Sequence, residues 1–572
     1  MERLIDVPAG IVPTDDVGIH PAIGTNTHTH TYRSSIVSET KAGAGPNGTG
    51  STKIQVLVVG AGPVGLVAAC DLARRGIAVR VIDAADGPSL GSRAKGLQPR
   101  SLEVLDDLGV VGRIVASGRS RTPIRKYKGT TVLGTSEVNP DAQEPSCSTP
   151  YTRSMLIPQW RVEEVLRERL GELGVTVEYG SRMEGLEQDG EYAHVSIQNA
   201  GQRENVSVPY VVGSDGASSE VRKRIGVGFL GQTDETVRML TGDVELSGLD
   251  RDFWHWWPSP DGKLLALCPL ASTDTFQIQI GVSADAPEEF SREEIQSLIN
   301  QRSGRNDIRV QRVVSQSVWR FNVRMVDRYR VGRVFLAGDS AHVHSPAGGL
   351  GLNTGIQDAD MLGWKIAHVL DGAPEALLDT YEEERLPIAA DILSLSSKLI
   401  SERLKGGVPS EGRSTDTLQL NLNYPASALN DGPQRSGAVV NPGDRAPDSL
   451  GQAADGTAAR FFDLFRGQHM TAIAFGPQSR KTAQILAERF PRELRSFAVL
   501  PPDSPTTGLD ATSIIDPEGH AHRDYGIDGD TLLIVRPDGY VGMRVTDPDH
   551  VRALDYLGRV LPPRESSRQL TA

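Results

Sequence analysis

The sequence predicts an α/β fold that opens on a β-α-β unit, continues into a mostly β domain and ends in a second, smaller α/β domain. Three observations predict it. A short apolar run at Ile54–Val59 passes through a glycine-rich turn into an amphipathic stretch and a second apolar run. Between about Leu230 and Val326 the chain alternates apolar and polar residues, as in Phe276-Gln277-Ile278-Gln279-Ile280, the period of a strand. After Lys405 a Gly/Pro/Ser-rich stretch breaks the pattern before structured sequence resumes near Asn441.

Composition bounds the rest. With 572 residues and roughly 100–200 residues per domain, three or four domains are expected. The net charge is −13, from 60 Lys+Arg against 73 Asp+Glu. That balance argues against a nucleic-acid or anionic-membrane partner, both of which demand clustered Lys/Arg. Three cysteines, Cys70, Cys147 and Cys268, form no CxxC pair, which argues against a disulfide framework, a zinc ribbon or dithiol chemistry. No apolar stretch reaches the roughly 18 residues of a membrane span. A soluble, cytoplasmic protein is expected.

Residues 1–52 carry no sustained periodicity, and Glu2, Asp6, Asp15 and Asp16 interrupt any signal-peptide core. A disordered tail is expected there. His28 and His30 lack a third or fourth ligand nearby, and no metal site is read anywhere in the chain.

The β-α-β unit carries Gly60-Ala61-Gly62-Pro63-Val64-Gly65 directly after the first apolar run. Gly60 permits a tight turn, Gly62 lets the backbone approach a pyrophosphate, and Gly65 lets the helix lie close on the sheet. The helix runs from Leu66 to Arg75, Gly76 stops it, and a strand Ile77–Ile82 ends in Asp83. This is a Rossmann-type dinucleotide unit. Asp83 is placed to accept from a ribose hydroxyl and would repel a 2′-phosphate, so the bound adenosine is that of FAD or NAD.

Two later segments decide for FAD. Tyr210–Ser219 ends its apolar run in Gly213-Ser214-Asp215-Gly216, and Arg333–His342 ends in Gly338-Asp339, leading on to Pro346-Ala347-Gly348-Gly349-Leu350-Gly351-Leu352-Asn353. With all three motifs in order, residues 53–400 resemble the single-component FAD-dependent aromatic hydroxylases of the p-hydroxybenzoate hydroxylase type. The resemblance implies that Asp339 binds the ribityl chain of FAD and that Asp215 serves the nicotinamide and flavin region structurally. It places Arg93 and Gln159, the latter before a helix Arg161–Leu173, against the FAD, with Arg93 as the flavin-proximal catalytic residue. It further implies that Pro346, Gly348, Gly349, Gly351, Leu352 and Asn353 line the flavin, ahead of a helix beginning near Thr354. Leu350 stands where many relatives carry Gln. His342 and His344 admit two readings, packing beside the motif or catalysis.

No second GxGxxG lies between a strand and a helix, and neither the CxxxxC pair of disulfide oxidoreductases nor the WxWxIP signature of flavin halogenases occurs. The reductant, NADPH or NADH by resemblance, then binds transiently. In the related hydroxylases the sheet corresponding to residues 230–326 covers the flavin. Within it, alternation sends Trp254 and Trp256 to one face and His255 and Trp257 to the other. Stacking on a flat substrate and core packing are both open for these rings; Trp254, Trp256 and Gln277 are the candidate substrate contacts. The region from Asn441 resembles the thioredoxin-like tail domain of larger relatives, without CxxC, and points to the phenol and aromatic-polyketide branch.

The organisation expected is a tail at 1–52, an FAD-binding domain at 53–229 and 327–405, a substrate-binding β-sheet domain at 230–326, a linker at 406–440 and the thioredoxin-like domain at 441–572. The resemblance implies a monooxygenase that uses NAD(P)H and molecular oxygen to hydroxylate a phenolic or aromatic polyketide substrate through a flavin C4a-hydroperoxide. Alternatives are Baeyer–Villiger insertion into a polyketide ketone, drug modification, or flavin binding without turnover. Oligomeric state is open, a homodimer included. Deleting residues 1–50 is expected to leave activity intact; a truncated protein that folds yet is inactive would refute a passive tail.

Overall fold

Val56–Val59 sits inside a six-stranded sheet ordered Arg330–Val331, Val334–Leu336, Tyr210–Gly213, Val56–Val59, Val79–Ile82, Val177–Glu178. Its four residues are all buried, as a continuous apolar run requires when both faces of a parallel sheet are covered. The computed structural model describes residues 53–259, 263–404, 414–437, 440–505 and 509–563, so the tail expected at 1–52 lies outside the described residues. Helix Pro63–Arg74 packs against Gln159–Glu172 and Gly351–Leu370.

Residues far apart in sequence meet here by register. Val59 pairs with Gly213, and Gly213 with Leu336, all in parallel. The three glycine-bearing turns therefore leave the same ends of three neighbouring strands, the edge where open α/β sheets bind ligands.

The β domain is an eight-stranded sheet, with the long strands Phe229–Ser247 and Arg309–Val326 paired antiparallel. It departs from the expected boundary at 230. Strands Ile124–Lys128 and Thr131–Ser136 join it, Ile124–Lys126 pairing in parallel with Trp254–Trp256. Side-chain alternation holds in the aromatic run: Trp254 and Trp256 pack with Ile124 and Met239, while Trp257 packs with Tyr127 and Ile278 on the other face.

The C-terminal domain is thioredoxin-like. A parallel Met470–Phe475, Pro477–Arg489, Leu494–Leu500 unit is followed by the antiparallel pair Thr531–Val535 and Val541–Thr546 and a closing helix His550–Val560. The helix Asp379–Leu404 runs through Pro387 without ending there. One expectation needs correction. The described part of the expected linker, residues 414–437, is packed: Leu418, Tyr424 and Leu429 are buried, and Ser427 Oγ donates to Glu384 Oε1 at 2.6 Å.

A buried charge cluster joins the two α/β domains. Glu384 accepts from Lys365 Nζ (2.6 Å) and from Arg536 Nη1 (2.5 Å), and Asp538 accepts from Trp364 Nε1 at 2.9 Å. Glu384, Lys365 and Arg536 are all fully buried. Burial works against ionising Glu384, but Arg536 and Lys365 outweigh it and bring its pKa down to about 2. Truncating one member leaves its partners charged and unpaired in the interior. Glu384→Ala is therefore expected to lower the unfolding free energy by about 3–5 kcal/mol, read by urea denaturation; a loss under about 1 kcal/mol, the worth of an exposed pair, would show that the cluster is solvated.

Candidate active site

A cavity of about 320 Å³ opens where the three turns converge and continues to the β domain. Its floor is the glycine turn. Gly60 adopts φ +102°, and a Cβ there would collide with the Ser214 carbonyl. At Gly65 a Cβ would strike the Gly60 carbonyl, which is how close the helix lies on the turn. Gly62 is different: a Cβ would meet nothing within 4 Å, and Gly62, Pro63 and Val64 line the cavity. The helix that starts at Pro63 has no side-chain cap, so its first-turn N–H groups and positive end are left to a ligand.

Asp339 projects into the cavity from the Gly338 turn. Enclosure by the surrounding protein pushes its pKa up, and His342 and Arg93 pull it back. On the far side, Pro346, Gly348, Gly349, Gly351 and Leu352 line the space. Their helix starts at Gly351, three residues before the expected Thr354, again without a side-chain cap. Two uncapped helix ends, an open glycine and a carboxylate facing one cavity are the donor and acceptor set that a dinucleotide diphosphate, polyol chain and carbonyl edge require. The residues present fit FAD.

Arg93 and Gln159 line the same cavity. Arg93 is exposed at its rim. Gln159 fastens the segment that carries Arg93: its Oε1 accepts from Ala94 N at 3.0 Å, and its Nε2 donates to Glu163 at 2.8 Å. Trp254 and Gln277 supply the β-domain wall.

Five of the expected contact residues do not line this cavity. Gly60 and Gly65 shape the turn and do not line the cavity. Asp83 ends its strand with each carboxylate oxygen accepting a backbone N–H, from Ala61 (2.7 Å) and Ala85 (2.8 Å); it too is outside the cavity lining. Asp215 serves the start of the helix Glu220–Arg224, whose N-cap is Ser219. It accepts from Glu220 N (2.7 Å), Val221 N (3.1 Å) and the Ser219 and Ser340 hydroxyls. Its carboxylate is thereby spent on the turn, and its neighbours Ser214 and Gly216 face the cavity instead. Asn353 is a fastener, accepting from Gln98 N at 2.7 Å and donating to the Gly96 and Gly349 carbonyls. A sixth departure is Trp256, which is fully buried in the sheet and does not line the cavity.

Three residues of the site carried no motif signal. Gln98 lines the cavity and holds its loop, donating to the Gly348 carbonyl at 2.8 Å. Asp358 and Arg385 form a fully buried ion pair at 2.7 Å, and Asp358 also accepts from Gly338 N (3.1 Å) and His342 Nε2 (2.6 Å). His344 Nε2 lies 2.8 Å from His342 Nδ1; burial and His342 keep the His344 imidazole neutral, well below its usual pKa.

Known proteins agree with this geometry. A family model described as FAD binding domain matches residues 53–396. The chain is 39% identical over 512 residues to a flavin-dependent monooxygenase of Mycobacteroides abscessus, covering 88% of this chain and 100% of that protein. It is 33% identical over 517 residues to the 6-methylpretetramide 4-monooxygenase of Streptomyces rimosus, covering 86% and 90%. Among solved structures, a ternary complex of aklavinone-11 hydroxylase with FAD and aklavinone superposes with a TM-score of 0.77 at 27% identity, over 90% of this chain and 99% of that one. A cavity built from the three flavin motifs and likeness across nearly the whole chain lead to one conclusion: this protein belongs to the FAD-binding family of flavin-dependent aromatic monooxygenases.

Proposed function

We propose that this chain uses NADPH or NADH and molecular oxygen to hydroxylate a phenolic or aromatic polyketide substrate. The observation that carries this reading is the continuity of the cavity. Residues assigned to FAD, among them Val64, Arg93 and Asp339, share it with Trp254 and Gln277 of the β domain. A flat aromatic ring held against that wall lies beside the cofactor.

The residues divide the work. The helix end at Pro63 holds the diphosphate and Asp339 the ribityl hydroxyls. The helix end at Gly351, which has no side-chain cap, would supply N–H donors to the flavin and stabilise added negative charge there. Bound FAD supplies the chemistry of accepting hydride and activating oxygen. Trp254, Val138 and Leu156 give the space apolar walls, which keep water from competing with the substrate. Arg93 at the rim is assigned to the flavin. Cytoplasmic residence accords with three free cysteines, two of them buried, and no described helix is long and apolar enough to cross a membrane.

Stopped-flow absorbance tests the reading. NADPH is expected to bleach a bound flavin faster in the presence of a phenolic or polyketide substrate, and oxygen then to yield a product whose NMR spectrum shows a new ring hydroxyl. A colourless protein, or a flavin that NADPH never bleaches, would sink it; an inserted ring oxygen would redirect it to Baeyer–Villiger chemistry. A paired comparison separates the two motif aspartates. Asp339→Ala is expected to lose FAD, whereas Asp215→Ala is expected to retain it and lose about 1 kcal/mol of stability, the cost of a helix cap. Loss of FAD from both variants at equal stability would return Asp215 to the cofactor site.

A further inference from the structure

Four glutamines line the cavity, and three of them spend both ends of the amide on the protein. Gln98 donates to the Gly348 carbonyl at 2.8 Å and accepts from the Ser154 hydroxyl at 2.7 Å. Gln159 accepts from Ala94 N and donates to Glu163. Gln277 accepts from Lys95 Nζ and donates to the Ser92 carbonyl, each at 2.7 Å. Gln279 is the fourth. Only 8% of it is exposed, and its amide has no hydrogen-bond partner among the described residues.

The strand Thr275–Val282 explains why the amide points into the cavity. Alternation sends Phe276, Ile278 and Ile280 into the core behind the sheet and turns Gln277 and Gln279 to the cavity. Gln277 is fastened to the segment that carries Arg93, and Gln279 stands one pleat beyond it, about 7 Å along the strand. Across the ladder its neighbours are Thr241 and Ala266. Thr241 already accepts from Trp319 Nε1 at 2.9 Å, and Ala266 belongs to the apolar cluster of Val138, Leu156 and Trp254. An amide left unpaired in such surroundings is costly to bury, and a molecule in the cavity that supplies both missing bonds offsets that cost.

We infer that Gln279 is a specificity-determining residue that reads a neutral substituent of the aromatic substrate, one presenting a carbonyl oxygen and an N–H or O–H donor side by side. This rests on the monooxygenase reading above and names a chemical feature of its substrate. The Gln279 oxygen takes the donor and its NH2 group takes the substrate carbonyl, two hydrogen bonds made by one planar group. A primary carboxamide offers that pair, and so does a ring ketone with a hydroxyl on the neighbouring carbon. An alkyl group in the same place leaves both ends of a buried amide unpaired. A polar residue in an apolar-walled site rejects in this way an analogue that lacks its partner.

The test uses the FAD-loaded full chain and a set of small phenols, with binding read by equilibrium dialysis. 4-Hydroxybenzamide carries both halves of the pair, 4-hydroxyacetophenone the carbonyl alone, and 4-isopropylphenol neither; 2,4-dihydroxyacetophenone restores a donor beside the ketone. The probes differ in their affinity for water, so each is compared between the unaltered protein and Gln279→Met, which removes both polar groups at similar side-chain length. 4-Hydroxybenzamide is expected to lose at least about tenfold relative to 4-isopropylphenol, the worth of two neutral hydrogen bonds. 4-Hydroxyacetophenone is expected to lose about threefold, the worth of one. A loss of about tenfold for 2,4-dihydroxyacetophenone extends the feature to hydroxy ketones; about threefold confines it to carboxamides. Gln279→Leu repeats the comparison with a second apolar side chain. A merely structural glutamine would weaken every probe by the same factor, and that result overturns the inference. So does a lack of saturable binding by all the probes, or loss of FAD from both variants, which gives Gln279 to the fold or the cofactor. Flavin absorbance and NADPH oxidation read on the same samples keep the two claims apart. A flavin that NADPH bleaches normally beside equal shifts refutes the role of Gln279 alone; a colourless or NADPH-inert protein refutes the monooxygenase reading.

Discussion

The buried carboxylate of Asp358 is the tie on which the flavin side of the molecule depends. One oxygen takes the Gly338 amide and His342, and the other takes Arg385. Arg385 in turn donates to the Thr354 carbonyl and the Tyr424 hydroxyl. The turn that aims Asp339, the helix that begins at the cavity, the long helix Asp379–Leu404 and the packed segment around Tyr424 are therefore fixed to one another through a single acid. Burial opposes its ionisation, but Arg385 and His342 prevail and bring its pKa down to about 2. An ionised Asp358 can only accept, so His342 presents Nε2–H to it, and the Nδ1 of His342 lies 2.8 Å from His344 Nε2. The histidine pair is ordered from the carboxylate outward, which favours the packing reading of these two residues.

The same helix, Gly351–Leu370, carries the constraint to the C-terminal domain. Its first turn borders the cavity, Asp358 lies two turns in, and Trp364 and Lys365 reach the cluster of Glu384, Arg536 and Asp538. Buried ion pairs of this kind give little net stability over apolar packing, because desolvation consumes most of the Coulombic gain. What they give is geometry: a charge inside the protein has few places where its partners are satisfied. The tail domain without CxxC thus braces the helix that borders the flavin site and needs no chemistry of its own.

Much of this was legible in the sequence because the relevant constraints are local. The Gly60–Gly65 turn, the apolar runs that feed it and the alternation that separates Trp254 from Trp257 follow from backbone sterics and period alone. What was not legible depends on partners brought by the fold. Asp215 occupies a motif position, yet the carboxylate finds the start of the next helix closer at hand than the cavity. Trp256 shares a face with Trp254, but face does not specify depth, and one ring borders the cavity while the other is core. The strand Ile124–Lys128 joined the β domain although nothing in its composition named a partner, since parallel pairing between segments about 130 residues apart leaves no periodic trace. The 406–440 stretch reads as a linker from its Gly, Pro and Ser content; Tyr424 and Ser427 find buried charges to bond, and those charges are set by helices elsewhere.

Net charge and local charge point in opposite directions in this protein, and the local one governs the site. A chain at −13 repels anions at long range, but at physiological ionic strength that field decays over about 8 Å. Inside the cavity the sources are nearer than that: two uncapped helix ends and Arg93, beside Asp339. Low polarity in the walls strengthens each of them. A dinucleotide diphosphate is then admitted on the strength of contacts made after entry, at the uncapped helix ends. Selectivity is then set by the cavity groups and is insensitive to the charge of the rest of the molecule.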